Sequence, residues 1–340
     1  MSLGVVALML LVWADEARGQ TLRVGIIDFY GFHQVTTGQA REALQLKEGD
    51  AIATDGDTKP ASITQAEGRL SALRGVLSAR MNLVCCDSGH AILYVGIEER
   101  GTSTLRFRVA PRGSIRLSGD VMQAGQEFSH ALLQAVQRGD SGEDDSKGHA
   151  LMHDPAVHAI QERFIVYAAR DLNLRDVLRQ SADPEHRALA AQILGYAADK
   201  RTVTEDLAYG MDDPSEMVRN NAMRALAVIG TLASAAPELK IDVPTGSFVR
   251  LLNSPVWTDR NKASMALMAL SANRDPQLIA SLREHALASL IEMARWKSEG
   301  HAAASLWLLG RIGGLSEAAI QGAWSRGDRE AVIEAALNRR

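Results

Sequence analysis

Apolar and polar positions change their spacing several times along the first hundred residues. Leu22-Arg23-Val24-Gly25-Ile26-Ile27-Asp28-Phe29 is short and β-rich, and Tyr30-Gly31 breaks it, which predicts a strand entering a turn. Thr37 opens a helix containing Ala40, Ala43 and Leu44 that stops at Lys47-Glu48-Gly49-Asp50. A polar linker runs to Ser62, and Ile63, Leu70, Leu73 and Leu77 then recur at helical spacing, predicting a second helix to Ser78. Met81 to Cys86 and Ala91 to Glu98 are β-type runs joined by the hairpin signal Asp87-Ser88-Gly89-His90. Thr104 to Val109 alternates, which predicts one more half-buried strand, and Phe128, Leu132, Leu133 and Val136 predict a helix. From Pro155 onward the spacing is almost continuously helical.

That helical half repeats. With Arg187, Arg219, Arg260 and His301 as anchors, alanine stands three residues later (Ala190, Ala222, Ala263, Ala304) and leucine seven later (Leu194, Leu226, Leu267, Leu308). Proline precedes three anchors, at Pro184, Pro214 and Pro255. Composition agrees, since 17 alanines fall in residues 1–150 and 34 in residues 151–340, and alanine lets helix axes approach closely. Each repeat is a two-helix hairpin that buries its apolar stripe only against its neighbours. Asp213-Pro214-Ser215-Glu216-Met217-Val218-Arg219-Asn220-Asn221-Ala222-Met223-Arg224-Ala225-Leu226 resembles the HEAT repeat. The resemblance implies an α-solenoid of four to five units with aspartate and arginine paired between repeats. It points to Asp213 with Arg219 and Asp259 with Arg260, and His301 replaces the arginine in the fourth unit. HEAT-like di-iron hydroxylases use His-Glu pairs, and this chain has only Glu185-His186 and Glu284-His285, in reverse order. Trp296, Trp307 and Trp324 are expected as large core or capping residues.

Near the N-terminus, Ile27-Asp28-Phe29-Tyr30-Gly31, Leu46-Lys47-Glu48-Gly49-Asp50 and Val95-Gly96-Ile97-Glu98-Glu99, in the order strand, helix, helix, strand, strand, resemble the POTRA domain. That resemblance implies a small mixed sheet with two helices on one face. It also implies an exported module that binds other chains, often by adding a strand to an open edge.

Charge and candidate chemistry narrow the reading further. With 37 Lys and Arg against 41 Asp and Glu, the net charge of -4 provides no field for nucleic acid. The apolar run Leu3 to Val12, followed by small residues, suits a secretory signal over residues 1–19 and is too short to span a bilayer. Cys85 and Cys86 are the only cysteines; a bond between neighbours needs a strained small ring, so two thiols are expected, with a redox-active vicinal pair as the alternative. Gly139-Asp140-Ser141-Gly142 copies the tetrapeptide around a chymotrypsin-like nucleophile, but it lies between helix signals, so no catalytic role is expected for Ser141. Asp144, Asp145, His149, His153 and Asp154 form a polar cluster that reads as a solvated acidic loop leading into a helix started by Asp154-Pro155. The alternative is a metal-dependent enzyme or metal-binding protein centred on that segment.

The resulting expectation is an α+β module (20–100), a connecting strand, helix and acidic loop (101–154), and an all-α solenoid of HEAT-like helical repeats (155–340), an α-α superhelix. The chain is expected to be a non-catalytic scaffold, exported to the periplasm or secreted, and peripheral to the membrane at most. Expected partners are cell-envelope proteins; no cofactor, resident metal or nucleic acid is expected.

Overall fold

The computed structural model describes residues 20–54, 59–102, 105–170 and 172–339; the proposed signal segment, 1–19, lies outside them. A sheet-containing module is followed by a helical repeat region. The chain compacts into two units that do not follow chain order. One comprises Arg106–Phe248 with Met265–Asn273, and the other the described residues up to Leu105 with Val249–Ser264 and the residues from Arg274 on.

In the second of these, β1 (Gln20–Tyr30), α1 (Thr37–Leu44), β2 (Ala51–Thr54), α2 (Ala61–Ser71), β3 (Val76–Asp87) and β4 (His90–Glu99) build a mixed sheet ordered β2-β1-β4-β3. β1 runs parallel to β4, and the other pairings are antiparallel. Strand β2 falls in what the sequence presents as a polar linker. Its four residues are too few to show a period, and only Ile52 is buried. The second helix ends at Ser71, and Gly75 at φ +90 turns the chain into β3; Leu77, expected on that helix, is an exposed strand residue.

One face of the sheet packs Val24, Ile27, Leu93, Val95 and Ile97 against Ala40, Leu44, Ile63, Ala66 and Leu70 of α1 and α2. The other face is covered too. There Tyr94 stacks on Trp257 with ring centroids 5.1 Å apart, and Tyr30 and Tyr94 meet Trp296 edge-on or tilted at 5.7 and 4.9 Å. A β-carbon built on Gly96 would lie 2.0 Å from the Pro255 carbonyl oxygen, so glycine is what lets the strand approach the turn. Burial on both faces explains why β4 reads as a near-continuous apolar run rather than an alternating one.

In the other unit, α3 (Gly119–Gln137), the two-residue strands β5 (Glu143–Asp144) and β6 (Leu151–Met152), and α4 (Pro155–Ala169) precede the repeats. The hairpins begin with α5 (Leu174–Gln180) and α6 (Pro184–Leu194), then α7 (Thr204–Gly210) and α8 (Glu216–Ala235). The series continues along the chain with α9 (Gly246–Leu251) and α10 (Trp257–Leu270), α11 (Pro276–Ala294) and α12 (Glu299–Ile312), and α13 (Glu317–Ser325) and α14 (Arg329–Asn338). The recurring positions are core positions: Ala190, Ala222, Ala263 and Ala304 are at most 5% exposed, as are Leu194, Leu226, Leu267 and Leu308. No helix among the described residues is long and apolar enough to cross a membrane.

The strand expected at Thr104 to Val109 does not form over 105–109, and Thr104 lies outside the described residues. The backbone groups of this segment pair with repeat turns instead. Arg108 N–H donates to Asp212 O, Gly113 N–H to Gln180 O, and Ala182 N–H to Gly113 O. Residues 105–117 are thus an extended strap on the hairpins.

Candidate functional site

Each repeat arginine closes the turn that precedes its own helix. Arg187 donates to Ser181 O at 2.9 Å, Arg219 to Asp213 O at 2.8 Å, and Arg260 to Ser254 O at 2.6 Å, each six residues upstream. These carbonyls end the preceding segment without a helical partner, so a buried guanidinium supplies the missing donors. Arg187, Arg219 and Arg260 are 1–2% exposed, which makes them internal struts rather than contact residues for a partner.

The carboxylate of Asp213, fully buried, receives both arms of Arg187, at 2.8 and 2.9 Å, from the preceding hairpin. It also accepts from Arg108 of the strap and from the Ser215 amide at 2.9 Å. The bond across repeats is therefore Arg187 to Asp213, whereas Arg219 reaches the main chain of Asp213 and holds its guanidinium 3.9 Å from the centre of the Phe107 ring. The turn position filled by Asp213 is occupied by serine ahead of Arg187 and Arg260, at Ser181 and Ser254. Further along the strap, Leu117 N–H donates to His186 Nδ1 at 3.0 Å and Arg116 lies 3.6 Å from Asp183.

In the sheet-containing unit the expected Asp259 and Arg260 also have other roles. Asp259 accepts from Ser254 Oγ at 2.7 Å within the turn. Arg260 pairs with Glu292 at 2.8 Å, from α10 to α11, and lies 4.5 Å from the Tyr30 ring centre. Glu292 also accepts the Gly31 N–H at 3.1 Å, and Tyr30 O–H donates to Pro255 O at 2.9 Å. His301 is 3% exposed and faces Tyr94 with Nδ1 2.5 Å from the phenol oxygen. Burial holds the imidazole down to about 4 and pushes the Tyr94 phenol up. Burial also raises Asp28, which accepts the Lys297 N–H at 2.9 Å.

The polar cluster of 144–154 disperses. Asp144 accepts the Ser146 N–H at 2.9 Å, a bond that lowers its pKa. Asp145 offers its main-chain carbonyl to Gly148, and exposed His153 lies over Gly142. Asp154 caps α4 through Ala156 and Val157 and pairs with Arg138 at 2.5 Å; bonds from the first helical turn and that arginine hold its carboxyl down. His149 Nδ1 stands 3.1 Å from Lys200 Nζ, and burial depresses the pair to about 4 and about 8. Among the described residues no three His, Cys, Asp or Glu converge on a metal position. The segment expected to be a solvated loop is a short hairpin tied down by Glu143 to Arg224 at 2.5 Å.

Cys85 and Cys86 are disulfide-bonded to each other, which corrects the expectation of two thiols. Trp296 is a core residue of the sheet contact, and Trp307 and Trp324 pack together at 5.9 Å. The sequence reading missed Phe107, Arg108, Tyr94 and Glu292 as partners of the repeat residues. Arg187 was already visible as the first anchor of the repeat; the serine at its turn was the available sign that its carboxylate lay elsewhere.

This geometry defines helical-hairpin repeats with buried turn arginines. Residues 172–252 match the family model described as HEAT repeats. Among solved structures, a designed armadillo repeat protein aligns with TM-score 0.36 at 16% identity, over 64% of this chain and 99% of its own. An engineered protein aligns with TM-score 0.36 at 16% identity, over 65% of this chain and 96% of its own. A designed armadillo repeat protein in complex with the peptide (KR)4 aligns with TM-score 0.34 at 18% identity, over 64% and 98%. No curated protein matches the chain.

Proposed function

We propose that the chain is a non-catalytic, exported interaction scaffold whose partners are cell-envelope proteins. The observation that carries this reading is how the repeats use their polar groups. The turn arginines, Asp213 and Asp259 are buried and hold hairpins together, while Gln277, Ala280, Glu284 and Ala288 stand exposed in a row along α11. A HEAT-type hairpin with a closed interior and a free outer helix offers a surface for another chain.

The sheet, whose sequence resembles POTRA, contributes a second surface. On the outer side of β3 the Ala79 and Met81 amides are already capped by Ser71 Oγ at 3.1 Å and Glu67 Oε1 at 2.7 Å. Leu83 and Cys85 follow on the same side of the strand beyond those caps, and are where an added strand would pair. Export is supported by the apolar run Leu3 to Val12 and the small residues after it.

The test uses the full chain, cross-linked in the cell envelope and identified by mass spectrometry, beside Glu284→Arg with Ala288→Arg and beside Leu83→Pro. Loss of a defined cross-linked protein with either variant is expected. Recovery of the same products from wild type and both variants, or of none from any, overturns the proposal.

A further inference from the structure

We infer that Cys85–Cys86 is a thiol–disulfide exchange site, reduced by a dithiol and coupled to the packing of β3 on α10. The bond joins adjacent residues, so it closes no chain loop and removes little conformational freedom from the unfolded chain. Stabilisation of the kind a disulfide provides between distant segments is therefore not its contribution, and its chemistry is what remains to be explained.

Placement favours exchange. Cys85 is exposed and Cys86 half-buried, next to the exposed turn Ser88-Gly89. Regular pairing of β3 with β4 runs to Val84↔Ile92 and resumes at Asp87↔His90, so the cysteines occupy an irregular step of the ladder. Opening the bond breaks no regular strand pair. A thiolate of the reductant attacks Cys85 Sγ, the S–S bond breaks, and Cys86 Sγ leaves as a thiolate that takes up a proton. The second thiol of the reductant attacks the mixed disulfide and releases Cys85, which takes up the second proton. The protein pair gains two electrons and two protons, and the reductant becomes a disulfide.

A residue beside the step contacts a helix: Asn82 Oδ1 accepts the Trp257 main-chain N–H at 3.2 Å, at the start of α10. A change at 85–86 therefore lies three residues from an anchor of the sheet on the repeats. Trp257, stacked on Tyr94, is the natural reporter.

The full chain, purified in air without reductant, is treated with iodoacetamide before and after native incubation with dithiothreitol. Intact mass should show no added group before reduction and two after it, and a reduced sample re-oxidised with glutathione disulfide before alkylation should again show none. Tryptophan emission should shift on reduction in wild type and not in Cys85→Ser with Cys86→Ser, whose far-ultraviolet circular dichroism verifies the fold. Two alkylated thiols before reduction, or a bond that dithiothreitol opens only after denaturation, overturn the site. Identical emission in both redox states overturns the coupling.

Discussion

The two compact units treat the turns of their hairpins alike, with different material. In one, an extended strap brings Phe107 within 3.9 Å of Arg219 and Arg108 to Asp213. In the other, strand β1 brings Tyr30 within 4.5 Å of Arg260, and Gly31 to Glu292. Both place an aromatic ring on a buried arginine that closes its own turn. The sheet orders its aromatic residue in advance through the ladder, whereas the strap must be ordered by the contact itself, against the entropy of each residue fixed. The strap should therefore open locally at lower cost than β1 or β4, and hydrogen exchange should find the Arg108 amide less protected than that of Leu93.

The largest effect is expected where the buried charge is most enclosed. Asp213→Ala leaves Arg187 buried without its carboxylate and should cost about 3–5 kcal/mol in a denaturant titration. A loss below about 1 kcal/mol would break the idea that the strap-covered unit is held from that aspartate. Tyr94→Ala, at the corresponding place under the sheet, should cost about 3–4 kcal/mol through lost packing on Trp257 and Trp296.

Acid should act on both units, since burial holds His149 in the one and His301 in the other at about 4. The His301 imidazole is held at about 4 when folded, against an ordinary value near 6.5, so the unfolded chain takes up its proton first as pH falls. Stability is unaffected by this group above about pH 6.5 and falls by about 3 kcal/mol on approach to pH 4. Asp28 runs the other way: its raised folded pKa costs stability above the ordinary carboxylate value and restores it as pH falls through the folded value. His301→Gln should remove the share of the loss between pH 6.5 and 4 that this imidazole contributes and leave the share of His149, which equilibrium unfolding at several pH values measures. Phe107→Ala should cost about 1–2 kcal/mol and expose the strap to protease. Val109→Ser, at a position 82% exposed two residues along, should leave the unfolding midpoint within about 0.5 kcal/mol of wild type.

The repeats were legible because their signal is local: an arginine, an alanine three residues on and a leucine seven on occupy one helix face, and that face is the buried one. The partners of those arginines were not legible. Arg187 bonds a carboxylate 26 residues away, and its own turn presents a main-chain carbonyl, which every residue type possesses. Alternation from Thr104 to Val109 looked like a strand, yet the adjacent Phe107 and Arg108 both meet the hairpins and Val109 is 82% exposed, so the apolar positions do not mark one buried face. The resemblance at the N-terminus suggested helices on one side of the sheet, yet the continuous apolar run of β4 already called for cover on both. Of the candidate cluster, Asp154 could be read as a cap from its proline, whereas the destination of His149 depends on Lys200, 51 residues downstream, as that of the adjoining Glu143 depends on Arg224, 81 residues downstream.

The cover over the second face of the sheet also bears on the order in which the chain is made. Tyr94 and its partner His301 are separated by 207 residues, which at ribosomal speed is about 10–40 s of synthesis. Pro255, Trp257 and Trp296 are made in turn within that interval, so Tyr30, Tyr94 and the bare backbone of Gly96 stay wholly uncovered until Pro255 and partly uncovered until His301. The growing chain carries an apolar, aromatic strand surface of the kind chaperones hold, and its release from the ribosome as a finished body waits for the hairpin of α11 and α12.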